Sequence, residues 1–120
     1  KAEKELDTIT SVSADELAEL QSKKPALNIL DVRKKSEYLS EHVLGAENAP
    51  LDFINDSMAM IDRNKTYFVH CAGGYRSMIF VSTLRARGFN NLIDVKGGFK
   101  SIKESNRFAV SDYVCPSTLL

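Results

Sequence analysis

The chemistry of this sequence concentrates in one run, Cys71-Ala72-Gly73-Gly74-Tyr75-Arg76-Ser77. The thiol directly follows an aromatic and β-branched stretch, Thr66 to His70, and precedes a helical pattern, so it lies in a strand, tight loop, helix arrangement. Two glycines permit backbone angles that a side chain forbids, letting successive N–H groups turn inward around one point. Such a nest binds negative charge. The partial positive end of the following helix and the Arg76 guanidinium add to it, favouring a Cys71 thiolate. Sulfur attack by a nucleophile without a general base is the chemistry implied. A cysteine ending an apolar strand is ordinarily a small buried hydrophobe; the glycine pair, the arginine and the helix start shift the balance. Because backbone groups supply most of the cradle, filling Gly74 should disturb Cys71 more than removing Arg76.

Neighbouring polar residues have plainer roles. His70 adjoins the nucleophile, but adjacent strand residues point to opposite faces, so it belongs to the core or behind the site rather than to a Cys–His dyad. Asp31 and Arg33, near the end of another strand, are expected to support the loop, and Asp31 or Glu37 should serve as the carboxylate partner of an arginine rather than as a catalyst. His42 either braces a turn or stands exposed. Tyr75 sits on the rim, where its ring would partly wall a pocket. Two histidines and two cysteines without Cys-x2-Cys or His-x3-His spacing give no metal site, and no cofactor is implied. Cys115, before Pro116, either resolves a Cys71 adduct or has no redox role. Both cysteines read as thiols, which fits a reduced, cytoplasmic compartment.

The elements that must position these residues alternate. Ile9 to Ser13 suggests a short strand, and Ser13 with Glu16 has capping-box spacing for a helix that Lys24-Pro25 stops. Leu27 to Val32 reads as a buried strand, Lys34 to Ser40 as a short helix, Gly45 to Pro50 as extended chain, and Leu51 to Met60 as a helix. After the Thr66 to His70 strand come a helix over Arg76 to Arg87 closed by Gly88, a strand over Asn91 to Val95, a turn at Gly97-Gly98, and a last helix over Phe99 to Glu104. This alternation predicts an α/β fold, a parallel sheet covered by helices on both faces with ligands outside the carboxyl ends of its strands.

At 120 residues the chain has room for a single domain, with a core over about residues 8–105 and a tail over 109–120 that packs on the domain or on a partner. Sixteen basic residues against sixteen acidic ones give zero formal charge, so no electrostatic drive toward nucleic acid or an anionic membrane surface exists. No apolar run approaches the ~18 residues of a membrane helix. Hydrophobic content of 43% is enough for a core that needs neither disulfide nor metal. The first residue is Lys1 rather than Met, expected of a processed product or of a segment of a longer protein.

Cys71, Gly74, Arg76 and Ser77 together resemble the Cys-x-x-Gly-x-Arg-Ser active loop of the rhodanese-like sulfurtransferases. Asp31-Val32-Arg33 with Glu37-Tyr38 is similar to that family's first signature. His42-Val43, Gly45-Ala46 and Asn48-Ala49-Pro50-Leu51 are similar to its second, and Val95-Lys96-Gly97-Gly98-Phe99 to its final glycine turn. The resemblance runs from about Thr8 to Ser105. It departs at Glu41, where many relatives have Gly, and at Ile102, where many have Trp. It implies a five-stranded parallel sheet and a ping-pong reaction in which Cys71 takes a sulfane sulfur, becomes a persulfide and passes it to a thiophilic acceptor, cyanide or a thiol. It also implies that backbone N–H groups from Ala72 through Ser77 hold the persulfide, and that Asp31 and Arg33 are structural. The partners implied are a small-molecule sulfur donor and a thiol acceptor.

Two other functions stay open. A rhodanese-like module can serve as a binding or regulatory domain of a larger protein, and the ending Tyr113 to Leu120 faintly resembles the ends of modules fused to metallo-β-lactamase-fold proteins, which would supply a fused or partner domain. Cysteine phosphatases and arsenate reductases with a Cys-x5-Arg loop place Arg at the sixth position after Cys as a bidentate oxyanion clamp. Here that position is Ser77. Arg76 comes at the fifth, giving a shorter loop suited to a sulfur atom.

Overall fold

The computed structural model describes residues 11–23 and 27–111. Ser13 opens the first helix as its spacing requires: the Glu16 N–H donates to Ser13 Oγ at 3.1 Å and the Ser13 N–H to Glu16 Oε1 at 2.8 Å. The elements run β1 (Ser11–Val12), α1 (Ala14–Lys23), β2 (Asn28–Asp31), α2 (Lys35–Ser40), β3 (Glu47–Asn48), a 3-10 turn (Leu51–Phe53) leading into α3 (Ile54–Met58), β4 (Tyr67–His70), α4 (Tyr75–Ala86), β5 (Leu92–Val95) and α5 (Gly98–Ser105). The strands form one parallel sheet in the order β1-β5-β4-β2-β3. That is the α/β architecture expected, with β4 at its centre. No helix among the described residues is long and apolar enough to cross a membrane.

Strand alternation divides the core in two. Leu30, Tyr67, Val69, Cys71 and Leu92 pack on one face with Phe80, Val81 and Leu84 of α4. On the other, Ile29, Phe68 and Val95 meet Ala14 and Leu17 of α1 and Phe99 and Ile102 of α5. Ile102 is 1% exposed and sits in the core as an aliphatic residue.

One segment differs from the sequence expectation, and two others are made more specific. The helix expected over Leu51 to Met60 is split, because Phe53 takes φ −121°, ψ 49°, outside helical values, and ends a 3-10 turn that Pro50 begins. The extended chain after Gly45 contains a true strand, β3, whose two residues pair with Leu30 and Asp31 at the sheet edge. The start of the tail packs on the domain: Val110 bridges Val43 antiparallel, and the Leu44 and Ser111 N–H groups donate to the carbonyls of Ala109 and His42. Ile9, the Lys24-Pro25 stop, and Cys115 with the rest of the tail lie outside the described residues.

Candidate functional site

Cys71 leaves the carboxyl end of the central strand and is 1% exposed. The chain then turns back into α4 through Gly74, which adopts φ +106° and caps the helix without any side-chain bond. A β-carbon there would be strained and would stand 3.3 Å from the Gly97 nitrogen. That conformation points the Gly74 N–H at the thiol, 3.0 Å from Sγ. Gly73 has no positive φ and nothing within 4 Å of a built β-carbon, so the expectation that both glycines are conformationally required holds for Gly74 only.

The second glycine requirement lies across the sheet. Gly97 and Gly98 have φ of +78° and +61°, and a β-carbon on Gly98 would fall 2.4 Å from the Cys71 carbonyl oxygen. This close approach brings the N-terminus of α5 onto the loop, where the Phe99 N–H donates to the Cys71 carbonyl at 2.6 Å and the Lys100 N–H to that of Ala72 at 3.1 Å. Two helix N-termini therefore meet the loop: α4 at the sulfur, α5 at the backbone beneath it.

Arg76 is engaged by a carboxylate. Its guanidinium makes two bonds to the Glu37 carboxylate, at 2.8 and 3.2 Å, and Glu37 also accepts from the Lys34 N–H at the start of α2. The Arg76 hydrogen bond is the main cause holding the Glu37 carboxyl below its usual range, and Glu37 in turn raises Arg76. The Arg76 charge expected to favour the thiolate is shared with Glu37, while a charge interaction with Cys71 remains. Ala72 is half-buried and contributes its carbonyl to α5, and Tyr75, 76% exposed, stands on the rim as expected.

Asp31 and Arg33 form a closed unit. Arg33 Nε donates to both carboxylate oxygens at 2.9 and 3.0 Å and Nη2 to Oδ2 at 2.7 Å, with Asp31 fully buried and Arg33 6% exposed. Arg33 Nη2 also donates to the Glu41 carbonyl at 2.6 Å, and its guanidinium lies 4.3 Å over the Phe99 ring. Support of the loop runs through Phe99, not by contact with Cys71. His70 is buried on the face away from the thiol; its Nδ1 lies 3.1 Å from the Cys71 carbonyl, its ring stacks on Phe99, and burial lowers its pKa. Its Nε2 has no hydrogen-bond partner and is 3.9 Å from Asp31 Oδ2. His42 braces a turn: Nδ1 lies 2.8 Å from the Tyr38 carbonyl, and its ring stacks on Tyr38.

Sequence reasoning named Ser77 in the loop but missed its partner, Asp94. Ser77 is wholly buried, with Oγ 3.6 Å from Cys71 Sγ and 3.3 Å from the Gly74 carbonyl, and it donates at 2.5 Å to Oδ1 of Asp94, which is 4% exposed. Burial raises the Asp94 pKa, against the weaker opposing effects of Ser77 and Lys96. Two signals were available. Ser77 occupies the buried stripe 77, 80, 81, 84 of α4, and Asp94 is an acid inside a parallel strand, where apolar residues are the rule.

Residues 13–105 match the Rhodanese-like domain family. The chain is 28% identical over 93 residues to the putative sulfur carrier protein YrkF of Bacillus subtilis, covering 78% of this chain and 50% of YrkF. It is 35% identical over 75 residues to the thiosulfate sulfurtransferase PspE of Escherichia coli, covering 61% and 71%. A crystal structure of a rhodanese-related protein from Thermoplasma volcanium superposes with a TM-score of 0.74 at 32% identity, covering 85% of this chain and 97% of that one. The chain spans about half the length of YrkF and of other curated relatives it matches.

Proposed function

Because the chain belongs to the rhodanese-like domain family, we propose that it is a sulfurtransferase that carries a sulfane sulfur on Cys71. The Cys71 thiolate attacks the outer sulfur of a donor such as thiosulfate or a persulfide. The donor's S–S bond breaks, sulfite or a thiolate leaves with the bonding pair, and Cys71 holds the sulfur as a persulfide. An acceptor thiolate or cyanide then attacks that terminal sulfur, and the Cys71 thiolate leaves. No external oxidant or reductant is consumed. The observation that carries this reading is the Gly74 N–H at 3.0 Å from Sγ, a backbone donor aimed at the reacting atom. With Arg76 bound to Glu37, the loop has no guanidinium turned inward to clamp a phosphate. The similarity to YrkF, a putative sulfur carrier protein, and to PspE, a thiosulfate sulfurtransferase, supports a persulfide. A thiol of this kind needs a reduced compartment, and we assign the protein to the cytoplasm.

Intact mass after incubation with thiosulfate or with glutathione persulfide tests the proposal. The expected result is the gain of one sulfur atom, removed by cyanide and lost in Cys71→Ser. No adduct with any sulfane donor would overturn it.

A further inference from the structure

The Cys71 loop holds a nucleophile whose sequence neighbours supply no base, yet a buried carboxylate stands two hydrogen bonds behind it. Ser77 Oγ lies between Cys71 Sγ, at 3.6 Å, and Asp94 Oδ1, at 2.5 Å. All three residues are nearly inaccessible, at 1%, 0% and 4% exposed. A hydroxyl has one proton to give. With that proton directed at Asp94, the lone pairs of Ser77 are left to receive the thiol proton.

We infer that Asp94, acting through the Ser77 hydroxyl, is the proton acceptor for the Cys71 thiol and so a positioning residue for sulfur transfer. The inference rests on the persulfide reading above. The Cys71 S–H bond breaks as a new Ser77 O–H forms, while the original Ser77 O–H breaks as an Asp94 O–H forms. The products are a thiolate and a neutral Asp94. One negative charge is present before and after, so the buried site changes no net charge and needs no water to carry a proton away. The new Ser77 O–H and the Gly74 N–H then both donate to the sulfur. When an acceptor later removes the terminal sulfur, the Cys71 thiolate leaves and the proton can return by the same route.

The surroundings of Asp94 suit this role. Its cross-strand neighbours, Ser11 on β1 and Val69 on β4, carry no charge. Lys96, two residues along its own strand, is the cation that acts on it, and Ser77 is the group facing it from α4. The Arg76 guanidinium, whose charge acts on Cys71, is paired with Glu37. Burial without a bonded cation makes a carboxylate readier to take a proton.

Alkylation of Cys71 by iodoacetamide, followed by mass in a Cys115→Ser background, reads the thiolate without any sulfur donor. In the wild type, the rate should be nearly flat from about pH 6 to about pH 8, because the proton moves within the pair rather than to solvent. Asp94→Asn keeps a hydrogen-bonding group of the same shape but cannot take a proton. Its rate should climb about tenfold per pH unit, and near pH 6 fall roughly 100-fold below wild type, the low end for a positioned proton acceptor. Ser77→Ala should lose the flat region too, and the double variant should be no slower than the slower single one. If Asp94→Asn fails to fold by circular dichroism, Ser77→Ala decides alone. A flat region retained in the folded variants would overturn the relay, as would faster alkylation in Asp94→Asn, which would mean that the carboxylate only repels the thiolate. Persulfide formation on the wild type is measured separately, so either reading can fail while the other stands.

Discussion

Asp31 and Asp94 are both buried carboxylates near the carboxyl ends of strands in one sheet, yet the protein treats them in opposite ways. Asp31, on the α1/α5 face, is held by three bonds from the Arg33 side chain and is answered by a full positive charge. Asp94, on the α4 face beside Cys71, accepts a hydrogen bond from a serine hydroxyl and is raised in pKa by burial. A carboxylate saturated by a guanidinium is fixed and serves the architecture. One held by a hydroxyl keeps its proton affinity and remains available to chemistry.

Breaking the Asp31 side should have the largest effect. Arg33→Ala leaves a fully buried carboxylate without its cation, expected to cost about 3–5 kcal/mol in urea melts. Arg33→Lys should recover little of it, because the planar fork and the stack on Phe99 are lost. A loss below about 1 kcal/mol in Arg33→Ala would end the contrast, since Asp31 would then not depend on its partner.

The pH dependence of stability sharpens the same contrast at an intermediate size. His70, beside Asp31, has its pKa lowered below 6.5 chiefly by burial. The unfolded chain therefore takes up a proton first as pH falls, and stability should drop from about pH 6.5 downward, by at most ~1.4 kcal/mol per pH unit. Asp94 has its pKa raised above 3.8, so the folded state binds the proton more tightly, and its contribution is present at acid pH and lost as pH rises through the folded value. Melts of His70→Gln and Asp94→Asn across pH should thus remove slopes of opposite sign. Equal slopes in both would contradict the difference in environment.

The smallest expected effect is at Arg76→Ala. Its pair with Glu37 is about one-third exposed on each side, where ion pairs contribute less than about 1 kcal/mol. Thermal melts should shift little, and the Cys71 alkylation rate should change less than in Asp94→Asn. A larger change at Arg76 would restore its charge as a principal influence on the thiol.

Much of the site was legible because its signals are local in the chain. Cys71 at the end of an apolar strand, the positive φ at Gly74 and the α4 start follow from a dozen neighbouring residues, as does the Ser13–Glu16 cap. The expectation that an acid would pair with an arginine was met twice, at Asp31 with Arg33 and at Glu37 with Arg76. Which acid took Arg76 was not legible: Glu37 lies 39 positions away and reaches it only because α2 and α4 converge.

What the sequence by itself determined is the order of strands and helices, the parallel sheet that such alternation demands, and a nucleophile in a tight loop at a helix start. The period of each element and the conformational needs of Gly74 require no knowledge of distant residues. The tertiary structure decided what stands behind the sulfur. Ser77 faces inward on the buried stripe of α4, Asp94 faces the same side from β5, and 17 positions separate them. It also brought Gly98 of α5 against the Cys71 carbonyl, too close for any β-carbon. These contacts depend on the register of β4 beside β5 and on how helices pack across them, and a side chain's partner across a sheet is set by that register, not by its neighbours along the chain.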